Sequence, residues 1–451
     1  MGNENRPNLV IQINQLTFVP QIQIFMINKY RPRIIDIELS KRLKSIGAIV
    51  LEGAKWCGKS TTAEYHSNSA IFLDDPRKRS QYMIFAEDNP DIILNGETPR
   101  LIDEWQLAPI IWDAVRYTVD HRNGMGQFIL TGSAKPADRE KISHSGTGRF
   151  AWLRMRPMSL FESGDSTGDI SLSKLFENPQ MPIGCEAKYD LQKIAFLICR
   201  GGWPIVSELP EDVALNPAKD YYDAVVNVDI RQVDGVDRSV ERAKRLMRSY
   251  ARFQGTQTSI RQIVEDMNGG DPNIVEDKTV RNYLDALRSM FVVEDMPAWN
   301  PNLKSKPAIR TADTRYFVDP SIATAAMGIG PGDLMNDLKA FGLLFESLCV
   351  RDLRVYAQSL SGDVYHYRDK NGLECDAVVH LPNGDYGLIE IKLGGEKLIE
   401  EGANSLLQLA SKIDVNRMKQ PSFLMVLTAT GAFAYRRKDN VLVVPISTLG
   451  A

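Results

Sequence analysis

The 451-residue sequence is poor in the residues that most often hold metals or cross-links. Its five cysteines (57, 185, 199, 349 and 375) include no close pair, and its five histidines show no HExxH spacing. That scarcity argues against a disulfide framework, a zinc site and histidine-based metal chemistry, and it suits a reducing cytosol. Charge of one sign is lacking as well: 54 Lys and Arg face 57 Asp and Glu, a net charge of −3. A globally basic nucleic-acid binder is thereby excluded, though a local basic patch is not. Long apolar runs are missing too. Residues 7–28 carry no charge, but Asn8, Gln12, Asn14, Gln15, Pro20, Gln21 and Gln23 are too polar for hydrocarbon. No compact signal peptide is visible, and Arg6 stands where myristoylation needs Ser or Thr. Gln21-Ile22-Gln23-Ile24 alternates, which leaves an edge strand or a poorly ordered arm open. The expectation is a cytoplasmic protein without a membrane segment. At ~150 residues per domain, two to four domains are expected.

What is present begins with a phosphate-binding pattern. Ala48-Ile49-Val50-Leu51 reads as a buried parallel strand and runs into Gly53-Ala54-Lys55-Trp56-Cys57-Gly58-Lys59-Ser60-Thr61, which fits GxxxxGK[ST]. Glycines let backbone N–H groups curl around phosphates, and the helix that follows adds its dipole. Lys59 is placed to reach the β- and γ-phosphates of ATP, and Ser60 to offer its hydroxyl to Mg²⁺, with Gly53, Gly58 and Thr61 completing the site. Leu101-Ile102-Asp103-Glu104 supplies a second carboxylate strand: Asp103 for Mg²⁺, Glu104 to polarise the attacking water. Phe128 to Ser133 is another buried strand ending in hydroxyls, where Thr131 or Ser133 either senses the γ-phosphate or forms a plain turn. Arg149, after Gly146-Thr147-Gly148, is the candidate for a γ-phosphate contact on a neighbouring subunit. Capping of its own domain is the alternative, and Arg139, Arg154 and Arg156 are rivals.

Residues 163–184, rich in Gly, Ser and Asp, read as a loop or boundary. Helical patterns follow from Asp190, interrupted by Gly201-Gly202-Trp203-Pro204, a turn that packs a tryptophan. Arg238, Arg242, Lys244, Arg245, Arg248 and Arg252 against Glu241 make a local basic stripe, suited to a nucleic-acid backbone or to a solvated helix face. Over 258–297 two apolar stripes and Phe291-Val292-Val293 resemble a winged helix, with Lys278, Arg281 and Arg288 as outward candidates for DNA contact.

Toward the C-terminus, turn signals separate strand-like runs at Val364–Arg368, Glu374–Leu381 and Tyr386–Leu393. A helical run over 396–412 and a strand at Phe423–Thr428 follow. This is the order of a restriction-endonuclease-like core. Glu390 and Lys392 share one strand face. With Asp376 and Glu346 they are candidates for a nuclease Mg²⁺ site, in which Lys392 orients or deprotonates water; Gln408 is a further polar candidate. An edge strand guarded by surface charge is the alternative.

The ordered set Tyr30-Arg31-Pro32-Arg33, Gly53–Thr61, Leu73-Asp74-Asp75-Pro76, Ile102-Asp103-Glu104, Leu130-Thr131-Gly132-Ser133, Gly201-Gly202-Trp203-Pro204 and Glu390-Ile391-Lys392 resembles a prokaryotic family. Its members are AAA+ ATPases whose C-terminal domain, of unknown function, is related to restriction endonucleases. The resemblance implies ATP binding and hydrolysis with Mg²⁺, a winged-helix segment and assembly into homo-oligomeric, hexameric rings, but no substrate. The expected fold class is α/β: an N-terminal arm (1–29), a P-loop AAA+ domain with a parallel sheet (30–165), a helical lid and winged helix (185–330), and a restriction-endonuclease-like domain (335–451). Three functions fit: a ring ATPase that moves or remodels a partner such as DNA, an ATP-gated nuclease, and an ATP-switched scaffold.

Overall fold

The computed structural model describes residues 30–134, 146–269, 275–304 and 312–451. The N-terminal arm and Arg139 lie outside the described residues. Five short strands form the first sheet: β1 (Ala48–Glu52), β2 (Ser69–Phe72), β3 (Arg100–Asp103), β4 (Phe128–Gly132) and β5 (Phe150–Arg154). They are all parallel, in the order β2-β3-β4-β1-β5. β1, β3 and β4 are central and almost wholly buried, which explains why their sequences are apolar runs without alternation. Parallel pairing puts the C-terminal ends of β1, β3 and β4 along one rim of the sheet, where open α/β sheets place their ligands.

The stretch 163–184, read as a loop or boundary, carries regular structure. It holds β6 (Ile170–Ser171) and the helix Leu172–Glu177, whose N-terminus is capped by the Ser171 side chain and whose Leu172 and Leu175 are buried. β7 (Cys185–Glu186) comes directly after it. Both strands pair with the far end of the chain. β7 lies at the edge of a seven-stranded sheet completed by β8 (Asp363–Arg368), β9 (Glu374–His380), β10 (Tyr386–Lys392), β11 (Phe423–Thr428), β12 (Phe433–Arg436) and β13 (Leu442–Pro445), in the order β7-β12-β13-β11-β10-β9-β8. β6 pairs in parallel with β14 (Leu449–Gly450). The meander β8-β9-β10 is antiparallel, whereas β10 and β11, joined through the helix Glu396–Lys412, are parallel.

The described residues from Arg33 to Ala451 pack as one compact unit. One hydrophobic cluster runs through Leu160, Trp203, Tyr250, Leu287, Phe345, Ile389 and Ile446, so the middle and C-terminal segments share a core. Its spine is the helix Leu338–Ser359, started by Asp337, whose carboxylate accepts from the N–H groups of Lys339 and Ala340. This helix packs on β8, β9 and β10 and also on the helices Ile35–Leu43 and Leu191–Arg200. Gly202 marks a tight junction: a Cβ there would lie 2.1 Å from the Met158 carbonyl oxygen, so only glycine fits. Trp203 beside it is fully buried, donates to Ser321 Oγ at 3.1 Å and stacks on Tyr221.

The helices Ile260–Asn268 and Asp277–Ser289 bury the two predicted apolar stripes. The segment after them, predicted as a wing, makes only isolated antiparallel bridges, Val293 to Phe317 and Met296 to Thr314. Lys278 and Arg281 are exposed, but Arg288 is not an outward contact: it donates to Asp295 at 2.8 Å and Asp285 at 3.1 Å. The basic stripe is likewise partly consumed within the chain. Arg238 is buried against Asp234 (2.6 Å) and Asn282 (3.0 Å), and Arg252 pairs with Asp266. No helix among the described residues is long and apolar enough to cross a membrane.

Candidate active site

β1 delivers the phosphate-loop sequence to the rim of the parallel sheet. Gly53 packs so closely on the next strand's exit that a Cβ would stand 2.0 Å from the Met155 carbonyl oxygen. Gly58, at φ 101°, occupies a left-handed conformation that side chains disfavour and leads into the helix Lys59–Tyr65. Lys59 is buried, its Nζ 2.8 Å from the Ala54 carbonyl oxygen at the start of the same loop.

The two predicted carboxylates sit beside this loop because β3 and β4 are neighbours, with Ile102 opposite Leu130. Asp103 is buried at the end of β3 and takes side-chain hydrogen bonds from Thr131 and Ser60; burial nevertheless pushes its carboxyl above the ordinary value, with the charge of Glu104 adding to the effect. Glu104 turns off the strand at φ 55°. Its Oε2 accepts from Ser133 Oγ at 2.9 Å and from the Gln106 amide, and its own N–H donates to Thr131 Oγ at 3.1 Å. The hydroxyls at the end of β4 therefore donate to different carboxylates, Thr131 to Asp103 and Ser133 to Glu104. Gln106, which the sequence reading missed, completes this group.

Lys59, Ser60, Thr61, Glu104, Gln106 and Ser133 line a cavity of about 760 Å³, ample for a nucleotide. A further wall comes from the middle segment and is mostly apolar: Pro204, Ile205, Val225, Val233, Met290 and Val292, with Asp229 and Gln232 among them. An ion pair between Lys55 Nζ and Asp229 Oδ1, at 2.6 Å, ties the phosphate loop to that wall. It too was missed, because 174 positions separate the two residues.

Arg149 does not enter this cavity within its own chain. Its guanidinium pairs with Asp120 at 2.8 Å, against the helix Ile111–Arg122 of the same sheet. The rivals Arg154 and Arg156 are both held by Glu294, at 3.4 and 2.6 Å, and Arg154 also reaches Glu52 at 3.1 Å. These arginines and Arg354 hold the Glu294 carboxyl far below the usual carboxylate range, against the opposing effect of its burial.

In the C-terminal sheet the candidate residues Asp376, Glu390 and Lys392 do meet. Lys392 Nζ lies 2.6 Å from Glu390 Oε2 and 3.2 Å from Asp376 Oδ2, so an ammonium occupies the space between the carboxylates. Glu346 is engaged by the Tyr316 hydroxyl. Among the described residues no group of three or more His, Cys, Asp or Glu side chains is placed to hold a metal ion. Gln408 is exposed on its helix.

Three carboxyls share one ammonium here. Burial, then the charge of Asp376, raises Glu346 well above its ordinary value and moves Glu390 up to about 8. Lys392 is raised as well, because the charges of Asp376 and Glu390 outweigh the burial that opposes them. Glu390 therefore binds a proton in the folded chain between its ordinary 4.5 and about 8, where the unfolded chain has released it. Stability should fall as pH rises through that window, by up to about 1.4 kcal/mol per pH unit for one proton. Glu390→Gln should flatten the slope in urea titrations at pH 5 to 8; an unchanged slope would show that Glu390 is not the group responsible.

Residues 45–163 match the family model described as AAA domain. Residues 191–333 and 341–449 match two others, each described as a domain of unknown function (DUF8612 and DUF4143). The chain is similar to uncharacterized protein Mb2031c of Mycobacterium bovis and uncharacterized protein Rv2008c of Mycobacterium tuberculosis. Each is 22% identical over 412 residues, which cover 90% of this chain and 82% of the relative. Among solved structures it resembles the Walker-type ATPase PABY2304 of Pyrococcus abyssi, at 12% identity and a TM-score of 0.39, over 66% of this chain and 96% of the other.

Proposed function

We propose that the chain is a Mg²⁺-dependent ATP hydrolase that uses turnover to move or remodel a partner. The observation that carries this reading is one cavity lined by Lys59, Ser60, Glu104 and Ser133, with Asp103 hydrogen-bonded to Ser60. The match of residues 45–163 to the AAA domain supports it. The Ser60 hydroxyl and the Asp103 carboxylate are adjacent hard oxygen donors, a set that fits Mg²⁺. When bound, the ion would neutralise charge on the β- and γ-phosphate oxygens. Lys59 would turn from Ala54 to those phosphates, while the backbone from Gly53 to Thr61 cradles them. Ser133 and Gln106 both hold Glu104 Oε2, so Oε1 would take the attacking water and its proton. The apolar wall of Ile205, Val225 and Met290 would take the base. A homo-oligomeric ring is part of the proposal, supported by the half-exposed Arg149 close to β5, the edge strand of its sheet.

Titration of the wild-type chain and of Lys59→Ala with ATP tests the reading. The variant is expected to bind at least about tenfold more weakly, the loss of a charge-assisted contact worth roughly 1.4 kcal/mol or more. A wild-type chain that binds no ATP, or a variant that binds it equally well, would refute the site.

A further inference from the structure

The phosphate loop is supported from outside it by Arg33. Arg33 stands before the helix Ile35–Leu43 and is 6% exposed, yet each nitrogen of its guanidinium is hydrogen-bonded. One terminal nitrogen donates to the Cys57 carbonyl oxygen at 2.7 Å, and the other donates to the Arg156 carbonyl oxygen at 2.9 Å. Nε donates to Glu162 Oε1 at 3.0 Å. Glu162 is itself fixed: it accepts from the N–H groups of Ile34 (2.9 Å) and Ser159 (2.8 Å), as part of the capping box of the helix Leu160–Ser163. The planar fork therefore joins three separate chain segments at set angles, which a lysine cannot do.

The contact with Cys57 has a consequence for the cavity. In a trans peptide unit the carbonyl of one residue and the N–H of the next point in opposite directions. Holding the Cys57 oxygen toward Arg33 therefore turns the Gly58 N–H away from Arg33. Gly58 lines the cavity and Arg33 does not. A Cβ at Gly58 would lie 3.4 Å from the Arg33 terminal nitrogen, so the guanidinium also backs the loop directly.

We propose that Arg33 is a positioning residue for phosphate binding: it orients the Cys57–Gly58 peptide so that the Gly58 N–H faces the phosphates. Arg33 touches no phosphate itself and acts only through the loop. The inference rests on the nucleotide reading of the cavity. It assigns a task to the Arg33 side chain, for which the sequence pattern offered no chemistry.

The test compares ATP with adenosine, which has the base and ribose but no phosphate. Binding of each to the full chain is followed by tryptophan fluorescence, since Trp56 lines the cavity, for wild type, Arg33→Lys and the double variant Arg33→Met with Glu162→Gln. Arg33→Lys keeps a cation beside Glu162, and the double variant removes the leftover carboxylate, so both avoid an unpaired buried charge. The expected result is ATP binding weakened about tenfold or more in both variants, with adenosine binding within about twofold of wild type. Variants that bind ATP like wild type would overturn the assignment. So would an equal loss of ATP and adenosine, which would mark Arg33 as a general structural support. If wild type binds adenosine and ATP equally tightly, the phosphate cradle itself is refuted, and the role of Arg33 falls with it.

Discussion

Glu104→Gln is expected to lower ATP turnover by about 100-fold or more while leaving ATP affinity within about twofold. The split between the two quantities follows from the geometry. Asp103, which sits with Ser60, is untouched by the change, and so are Lys59 and the loop backbone. Only the group that would accept the water's proton is lost. A glutamine keeps the shape of the side chain and an oxygen to accept from Ser133, which now lies 2.9 Å from Glu104 Oε2. The variant should therefore hold ATP without consuming it. Steady-state phosphate release and equilibrium ATP binding, measured on the same preparation, check this. Turnover equal to wild type would remove Glu104 from the chemistry; a parallel loss of binding would make it a structural residue.

The second large effect concerns stability. Arg351 is almost wholly inaccessible and lies between two equally buried carboxylates, 2.9 Å from Asp319 and 2.7 Å from Asp352. Each carboxylate carries a further junction: Asp319 Oδ2 accepts from the Gly202 N–H at 2.9 Å, and Asp352 Oδ2 from the Leu160 N–H at 2.9 Å. Arg351→Met would leave both anions without their cation, which typically costs about 3–5 kcal/mol. Burial already raises Asp352 to about 6 despite the arginine. Without Arg351 that carboxyl is raised further, so the folded variant holds protons that the unfolded chain releases. Its deficit relative to wild type should accordingly shrink as pH falls toward 5. Urea unfolding at pH 5 and pH 8 reads both the size and the trend. A loss under about 1 kcal/mol at pH 8 would show that the site relaxes or admits water.

Local chemistry was legible in the sequence; pairing across distance was not. The run from Gly53 to Thr61 can be read directly because the phosphate cradle is a contiguous stretch of backbone. Asp103 and Glu104 were legible for a related reason: they end an apolar strand, and parallel strands end together. Which hydroxyl serves which carboxylate depends on the contact between β3 and β4, so the division of Thr131 from Ser133 had no sequence signal. Gln106 could have been suspected from its place two residues beyond Glu104. Arg33 could not, since Glu162 lies 129 positions away. The stretch 163–184 misled because two-residue strands carry no periodicity and its Gly, Ser and Asp content imitates a loop. In the C-terminal sheet β8 to β11, their succession along the chain and the shared face of Glu390 and Lys392 were readable, whereas β7, β12 and β13 were not. Which carboxylate oxygens Lys392 meets was not readable, because strand spacing fixes a face and says nothing about the distances across it.

The central claim is that the cavity beside Lys59 and Glu104 hydrolyses ATP. Its most direct test is phosphate release from ATP by the wild-type full chain, with Mg²⁺ and with the ion chelated, beside Glu104→Gln. The account predicts turnover that requires Mg²⁺ and nearly disappears in the variant. ATP bound but never hydrolysed by wild type, or release that persists unchanged in Glu104→Gln, would contradict it.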